Sequence, residues 1–88
     1  MLFRRHKPIT SADLVVDAHV ISSDGIPLGH VGEVLDDVFR VDAPPGGFWP
    51  HVYWLPIDAI AFAKAGLVAM SVPSRQVAEI SVSELRAA

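Results

Sequence analysis

Ser23-Asp24-Gly25-Ile26-Pro27-Leu28-Gly29-His30-Val31-Gly32-Glu33-Val34 has the pattern of a tight turn, a second glycine and then a strand. Asp24-Gly25 is the strongest hairpin pair in the chain, because both residues tolerate a positive φ. Pro27 has no N–H for a sheet ladder, so it belongs to a turn or a bulge. Gly29 marks the point where the backbone bends back into a strand, about His30 to Leu35. Val31 and Val34 are three apart, which breaks a two-residue period. That mismatch predicts a bulge or strong coiling, with Gly32 at the irregularity.

The preceding strand runs from about Asp17 to Ser22, with Ala18 and Val20 on one face and His19 and Ile21 on the other. Thr10 to Asp13 has capping-box spacing, read as one helical turn or as a lead-in to this strand. Downstream, Asp36-Asp37 makes a turn without glycine, aspartate being one of the few residues that enter the left-handed region at low cost. A third strand, Val38 to Asp42, places Phe39 and Val41 on one face. The loop Ala43 to Pro50 holds three prolines and two glycines and is barred from regular structure.

A fourth strand, His51 to Leu55, is aromatic and β-branched, and Pro56 ends it. Pro56 to Ile60 reads as a single tight turn that carries Ile57 and Ile60 inward. Strands five (Ala61 to Lys64) and six (Leu67 to Val72) flank a turn at Gly66. The alanine content of Asp58 to Val72 suits a helix, but Gly66 and the pairing of its apolar flanks favour strands. Ser74 is placed to cap a short helix through Glu79, and Ser81 to Glu84 repeats the capping pattern. Six short strands with glycine-marked turns predict an all-β domain, a small antiparallel barrel or sandwich with a short C-terminal helical segment. Closing such a sheet removes its exposed edges.

The chain has 88 residues and reads as one domain: an arm over residues 1–9, the barrel over 10–80 and a tail over 81–88. A chain of this size buries about 60–65% of its unfolded surface, yet 51% of its residues are hydrophobic. That surplus predicts self-association as a homodimer or small homo-oligomer. With no cysteine, disulfides and thiolate metal sites are excluded. The opening residues carry charge without an apolar core behind them, unlike a secretory signal, and no run approaches a membrane span. The expected location is the cytoplasm.

The net charge of −3 is unevenly spread. Arg4, Arg5 and Lys7 hold three of the seven basic side chains, leaving four against ten acidic ones elsewhere, a net of −6. So acidic a body repels phosphate, and only the arm could attract nucleic acid.

The pattern Val20-x-x-x-Asp24-Gly25-x-x-x-Gly29-x-Val31-x-x-Val34, then His51-x-Tyr53-x-Leu55-Pro56-x-Asp58-x-Ile60, then Gly66-x-Val68-x-Met70, resembles the PRC-barrel superfamily. Within it the likeness is to short uncharacterised bacterial PRC-barrel-like proteins, a domain family of unknown function. The resemblance covers roughly residues 14–80 and implies a six-stranded SH3-like antiparallel barrel acting by protein contact. It supplies no catalytic motif. The Asp36-Asp37 turn and the loop carrying Phe48-Trp49 depart from the usual pattern.

Candidate sites follow from these readings. His6, His19, His30 and His51 show no H-x-H or H-x-x-x-H spacing, so they are read as solvated or singly hydrogen-bonded and no metal is expected. Strand pairing could bring His19 to His30, with Asp24 nearby. Asp36, Asp37 and Asp42 form an acidic patch without the compact glycine-containing segment of a calcium loop. No serine or glycine pattern has the spacing of a hydrolase or a phosphate loop, so neither an enzyme nor a cofactor is expected.

Phe48, Trp49, Tyr53 and Trp54 are the candidate partner-binding residues, since aromatic side chains dominate binding hot spots. For Trp54 the alternative is a place inside the barrel, and for Trp49 a plug at one end. Asp24, Gly25, Gly29 and Gly66 are assigned to structural turns. The reading is a non-enzymatic protein–protein interaction module. Its alternative is an RNA- or ribosome-associated factor using Arg4, Arg5 and Lys7.

Overall fold

Hydrophobic alternation and short turns produce a curled six-stranded sheet in the computed structural model, which describes residues 9–42 and 52–81. The strands are β1 (His19–Ile21), β2 (Pro27–Val34), β3 (Val38–Asp42), β4 (Tyr53–Pro56), β5 (Ile60–Lys64) and β6 (Leu67–Met70). Their order across the sheet is β4-β3-β2-β1-β6-β5. One short helix, α1 (Val77–Ile80), follows a 3-10 turn at Ser74–Gln76.

The sheet is mixed, which corrects the antiparallel expectation. β1 runs parallel to β6, with His19, Val20 and Ile21 opposite Leu67, Val68 and Ala69. The cause lies at the turn after β4. Ile57–Ala59 forms a single 3-10 turn that does not reverse the chain. The Ile57 N–H donates to the Asp37 carbonyl at 2.9 Å, pinning this turn to the β2–β3 connection. β5 therefore leaves in the same direction as β4, and the β5–β6 hairpin brings β6 alongside β1. Among the described residues no ladder joins β4 to β5, so the sheet is an open half-barrel by hydrogen bonding.

Two irregularities shape the β1–β2–β3 meander. The β1–β2 register shifts between Val20 and Ile21, opposite Gly29 and Pro27. Pro27 thus begins β2 at a bulge, and β2 starts three residues before the predicted His30. The β2–β3 register shifts between Val31 and Glu33, leaving Gly32 unpaired. That extra residue lets Val31 and Val34 both face inward, opposite Val41 and Phe39.

Local backbone conformation departs from the sequence reading at three places. The loop between β1 and β2 has five residues, Ser22 to Ile26, and only Gly25 (φ 82°) is left-handed in it. The Gly25 N–H closes a turn on the Ser22 carbonyl at 3.0 Å, and the Ser22 N–H donates to the Ile26 carbonyl at 2.9 Å. Asp36 and Asp37 keep negative φ; the only described non-glycine residue with positive φ is Asp17, at 78°. There the chain turns into β1, and the Asp17 N–H donates to the Val31 carbonyl at 2.8 Å. Ahead of it, Ser11–Asp13 forms one 3-10 turn, with the Thr10 N–H on the Asp13 carboxylate at 2.9 Å.

The inner face holds the core. Val20, Leu28, Val31, Phe39, Val41, Leu55, Ile57, Ile60, Val68 and Met70 are buried on it. Leu14, Ala18 and Val77 of α1 belong to the same cluster, and Ile80, one turn after Val77, packs against it. Each large core side chain contributes about 1.5–3 kcal/mol by burial. No helix among the described residues is long and apolar enough to cross a membrane.

Candidate functional site

The outer face of β2, β3 and β4 carries a group of linked polar and aromatic side chains. Strand alternation puts Arg40 and Asp42 together on that face, two residues apart, while Phe39 and Val41 point into the core. Arg40 is forked onto Asp42, with Nε donating to Oδ1 at 2.7 Å and Nη2 to Oδ2 at 3.1 Å. Its Nη1 donates to Glu33 Oε1 on β2 at 3.3 Å. The guanidinium carbon sits 6.0 Å from the Trp54 ring centre, within reach of a cation–π contact from the edge strand β4. Hydrogen bonding to Asp42, followed by the charges of Asp42 and Glu33, raises the Arg40 guanidinium above its ordinary value.

Gly32 makes room for this group. A Cβ there would collide with the Asp42 carboxylate and lie 2.6 Å from Arg40 Nη2. The bulge residue is thus the floor on which the Arg40–Asp42 pair rests. The arrangement has a sequence signature, Arg40-x-Asp42 within one strand, that the reading of Asp36, Asp37 and Asp42 as a single acidic patch overlooked. Asp36 and Asp37 stand at the β2–β3 turn, away from the Arg40 fork.

The predicted aromatic patch divides across the sheet. Tyr53 lies opposite Val41 and packs against the core, whereas Trp54 lies opposite Arg40 on the outer side, half-buried. Phe48 and Trp49 lie outside the described residues, as do Arg4, Arg5 and Lys7 and the second capping box after Ser81. Gly25, Gly29 and Gly66 all have positive φ, at 82°, 142° and 77°. Gly29 sits within β2, opposite Val20, and Gly66 turns β5 into β6.

Asp24 has a second role beyond its turn. Its carboxylate accepts the Ser74 N–H at 3.0 Å and the Ser74 hydroxyl at 3.1 Å, and it also accepts the Ser22 hydroxyl. The first turn of the C-terminal helical segment is therefore capped from the β1–β2 hairpin and not by Ser74 itself. The Ser22 hydroxyl and the Ser74 groups together hold the Asp24 carboxyl below its usual range.

His19 and His30 face each other across β1 and β2, with ring centres 4.7 Å apart and planes tilted by 49°. Asp24 is not beside them; the residue opposite His30 on β3 is Asp42, committed to Arg40. Among the described residues no group of three or more His, Cys, Asp or Glu converges as metal donors. A hollow lined by Asp13, Ala18, Lys64, Leu67 and Val68 measures about 10 Å³, the room of about one water.

No family model, no curated protein and no solved structure matches this chain.

Proposed function

We propose that the chain is a non-enzymatic, PRC-barrel-like interaction module of the cytoplasm that works by protein contact, with a second copy of itself as the first partner. The observation that carries this reading is Trp54 set over Arg40 on the outer face of an edge strand. Tryptophan and arginine are the residues most enriched among binding hot spots. Here the arginine is already ordered by its fork on Asp42, so less freedom is lost when a partner covers it. β4 also presents an unpaired edge among the described strands, and a two-fold axis there would use the same patch twice. Support for a PRC-type likeness comes from the curled six-stranded sheet and its Asp24-Gly25 hairpin; the parallel β1–β6 pair is a departure from it.

Sedimentation of the full chain across micromolar to millimolar concentration tests the proposal. The expected result is concentration-dependent association, weakened at least tenfold by Trp54→Ala with the fold intact by circular dichroism. Trp49→Ala, made in parallel, reports on the loop. A parent that stays monomeric up to millimolar concentration refutes the self-association reading.

A further inference from the structure

We propose that His19 and His30 form a two-histidine chelating site for a divalent late transition ion, Cu(II) or Ni(II), on the outer face of the sheet. The ladder geometry builds the pair. The His19 N–H donates to the Gly66 carbonyl at 2.9 Å, so the hydrogen-bonding groups of His19 point toward β6 and away from β2. His19 and His30 therefore occupy a non-hydrogen-bonded cross-strand position, where side chains of an antiparallel pair stand closest. Both project outward. His19 is exposed and His30 half-buried, so the ring edges reach solvent.

The ring separation fits bidentate capture. A late divalent ion sits about 2.0–2.1 Å from an imidazole nitrogen, or about 3.2 Å from the ring centre. Two rings 4.7 Å apart then subtend about 95° at a shared ion. That is close to the cis angle of about 90° in square-planar and octahedral fields, the geometries of Cu(II) and Ni(II), and narrower than a tetrahedral zinc site requires. Rotation of each ring about its Cβ–Cγ bond aims the nitrogens, and the strands need not move. The Asp42 carboxylate is held by Arg40 and does not complete the set. Water fills the outward positions. The backbone supplies the approach of the two rings and β1–β2 pairing holds it, so the entropy of bringing two ligands together is lost on folding and not on binding. A rigid pair binds an ion about a hundredfold more tightly than one imidazole does.

The chain has four histidines, so the test starts from an untagged full-length His6→Ala/His51→Ala background that retains only His19 and His30. Calorimetric titration with NiCl2 and with CuCl2 is expected to show one ion per chain. Substoichiometric Cu(II) should broaden amide resonances around His19, His30, Leu67 and Asp42 in NMR spectra ahead of all others. His19→Gln and His30→Gln should each weaken Ni(II) binding about a hundredfold. His19 is exposed, so His19→Gln decides the matter if His30→Gln fails to fold. Background protein that binds neither ion, or a folded His19→Gln variant that binds as well as the background, overturns the site and returns the pair to an ordinary cross-strand ring contact.

Discussion

Gly25→Ala isolates the torsional cost of the hairpin on which the fold rests. Gly25 has φ 82°, and a Cβ built on it meets nothing within 4 Å. Its penalty is therefore one of backbone conformation and not of crowding. Placing an L-residue with a Cβ in the left-handed region costs about 1–2 kcal/mol. Removing glycine from the unfolded chain returns about 0.4–1 kcal/mol. The net destabilisation is about 1 kcal/mol, and for a domain of this size it lowers the melting temperature by about 4–8 °C. Asparagine enters the left-handed region far more readily than alanine, so Gly25→Asn should recover most of that loss. Gly25→Val should fall below both, since a β-branched residue is a severe outlier there. Thermal melts by circular dichroism of the three variants read the series directly. Alanine and asparagine variants that melt together well below the parent would refute the torsional account. An alanine variant that melts with the parent would refute the assignment of the turn.

Two further outcomes follow from the outer face and the hairpin clasp. Gly32→Ala should displace Asp42 and Arg40 from the bulge and leave the fold standing, because the groups it strikes are side-chain ends that can swing outward. In a Trp49→Phe background the expected signature is a changed Trp54 emission with a small shift in melting temperature; a fall beyond about 10 °C would mean the backbone itself is crowded there. Asp24 titrates below its ordinary value of 3.8, so its contribution is complete above that pH and is lost as the pH falls through the lower folded value. Urea unfolding should accordingly show Asp24→Asn less stable than the parent at pH 6, with the gap narrowing by pH 3. A gap that is constant across that range would place the loss elsewhere than in the carboxylate.

Local chemistry made most of the strands legible. Val38–Asp42 has the predicted bounds, the bulge sits at Gly32, and Ile57 and Ile60 turn inward after Pro56. These rest on short-range causes: alternation, a missing proline N–H, a glycine. Chain direction past Pro56 does not. Whether Ile57–Ala59 reverses the chain depends on its tie to Asp37, twenty residues earlier, which no local pattern encodes. The same limit hid the tie between Asp24 and Ser74, fifty residues apart. Asp17 rather than Asp36 or Asp37 is left-handed because the approach of β1 to Val31 demands it. Tyr53 and Trp54 share aromatic character, but as neighbours in a strand they point to opposite sides. The His19–His30 approach was readable from the hairpin register once Asp24-Gly25 was placed; Arg40 over Gly32 was not, because it depends on which residue the bulge leaves out.

The parallel pairing of β1 with β6 bears on how the chain acquires its structure during synthesis. His19 and Leu67 are neighbours in the sheet but stand 48 positions apart in the chain. The β1–β2–β3 meander and the β5–β6 hairpin can each assemble from short-range contacts soon after their residues emerge. The β1–β6 ladder that joins them cannot form until β6 is free of the ribosome. Until then one hydrogen-bonding edge of β1, beside the core residue Val20, stays open to water and to other nascent chains. A topology dominated by such distant contacts folds slowly for its length. The two units on either side of the Ile57–Ala59 turn are the natural fragments of the domain, and their docking along β1 is the step that commits the chain to its final form.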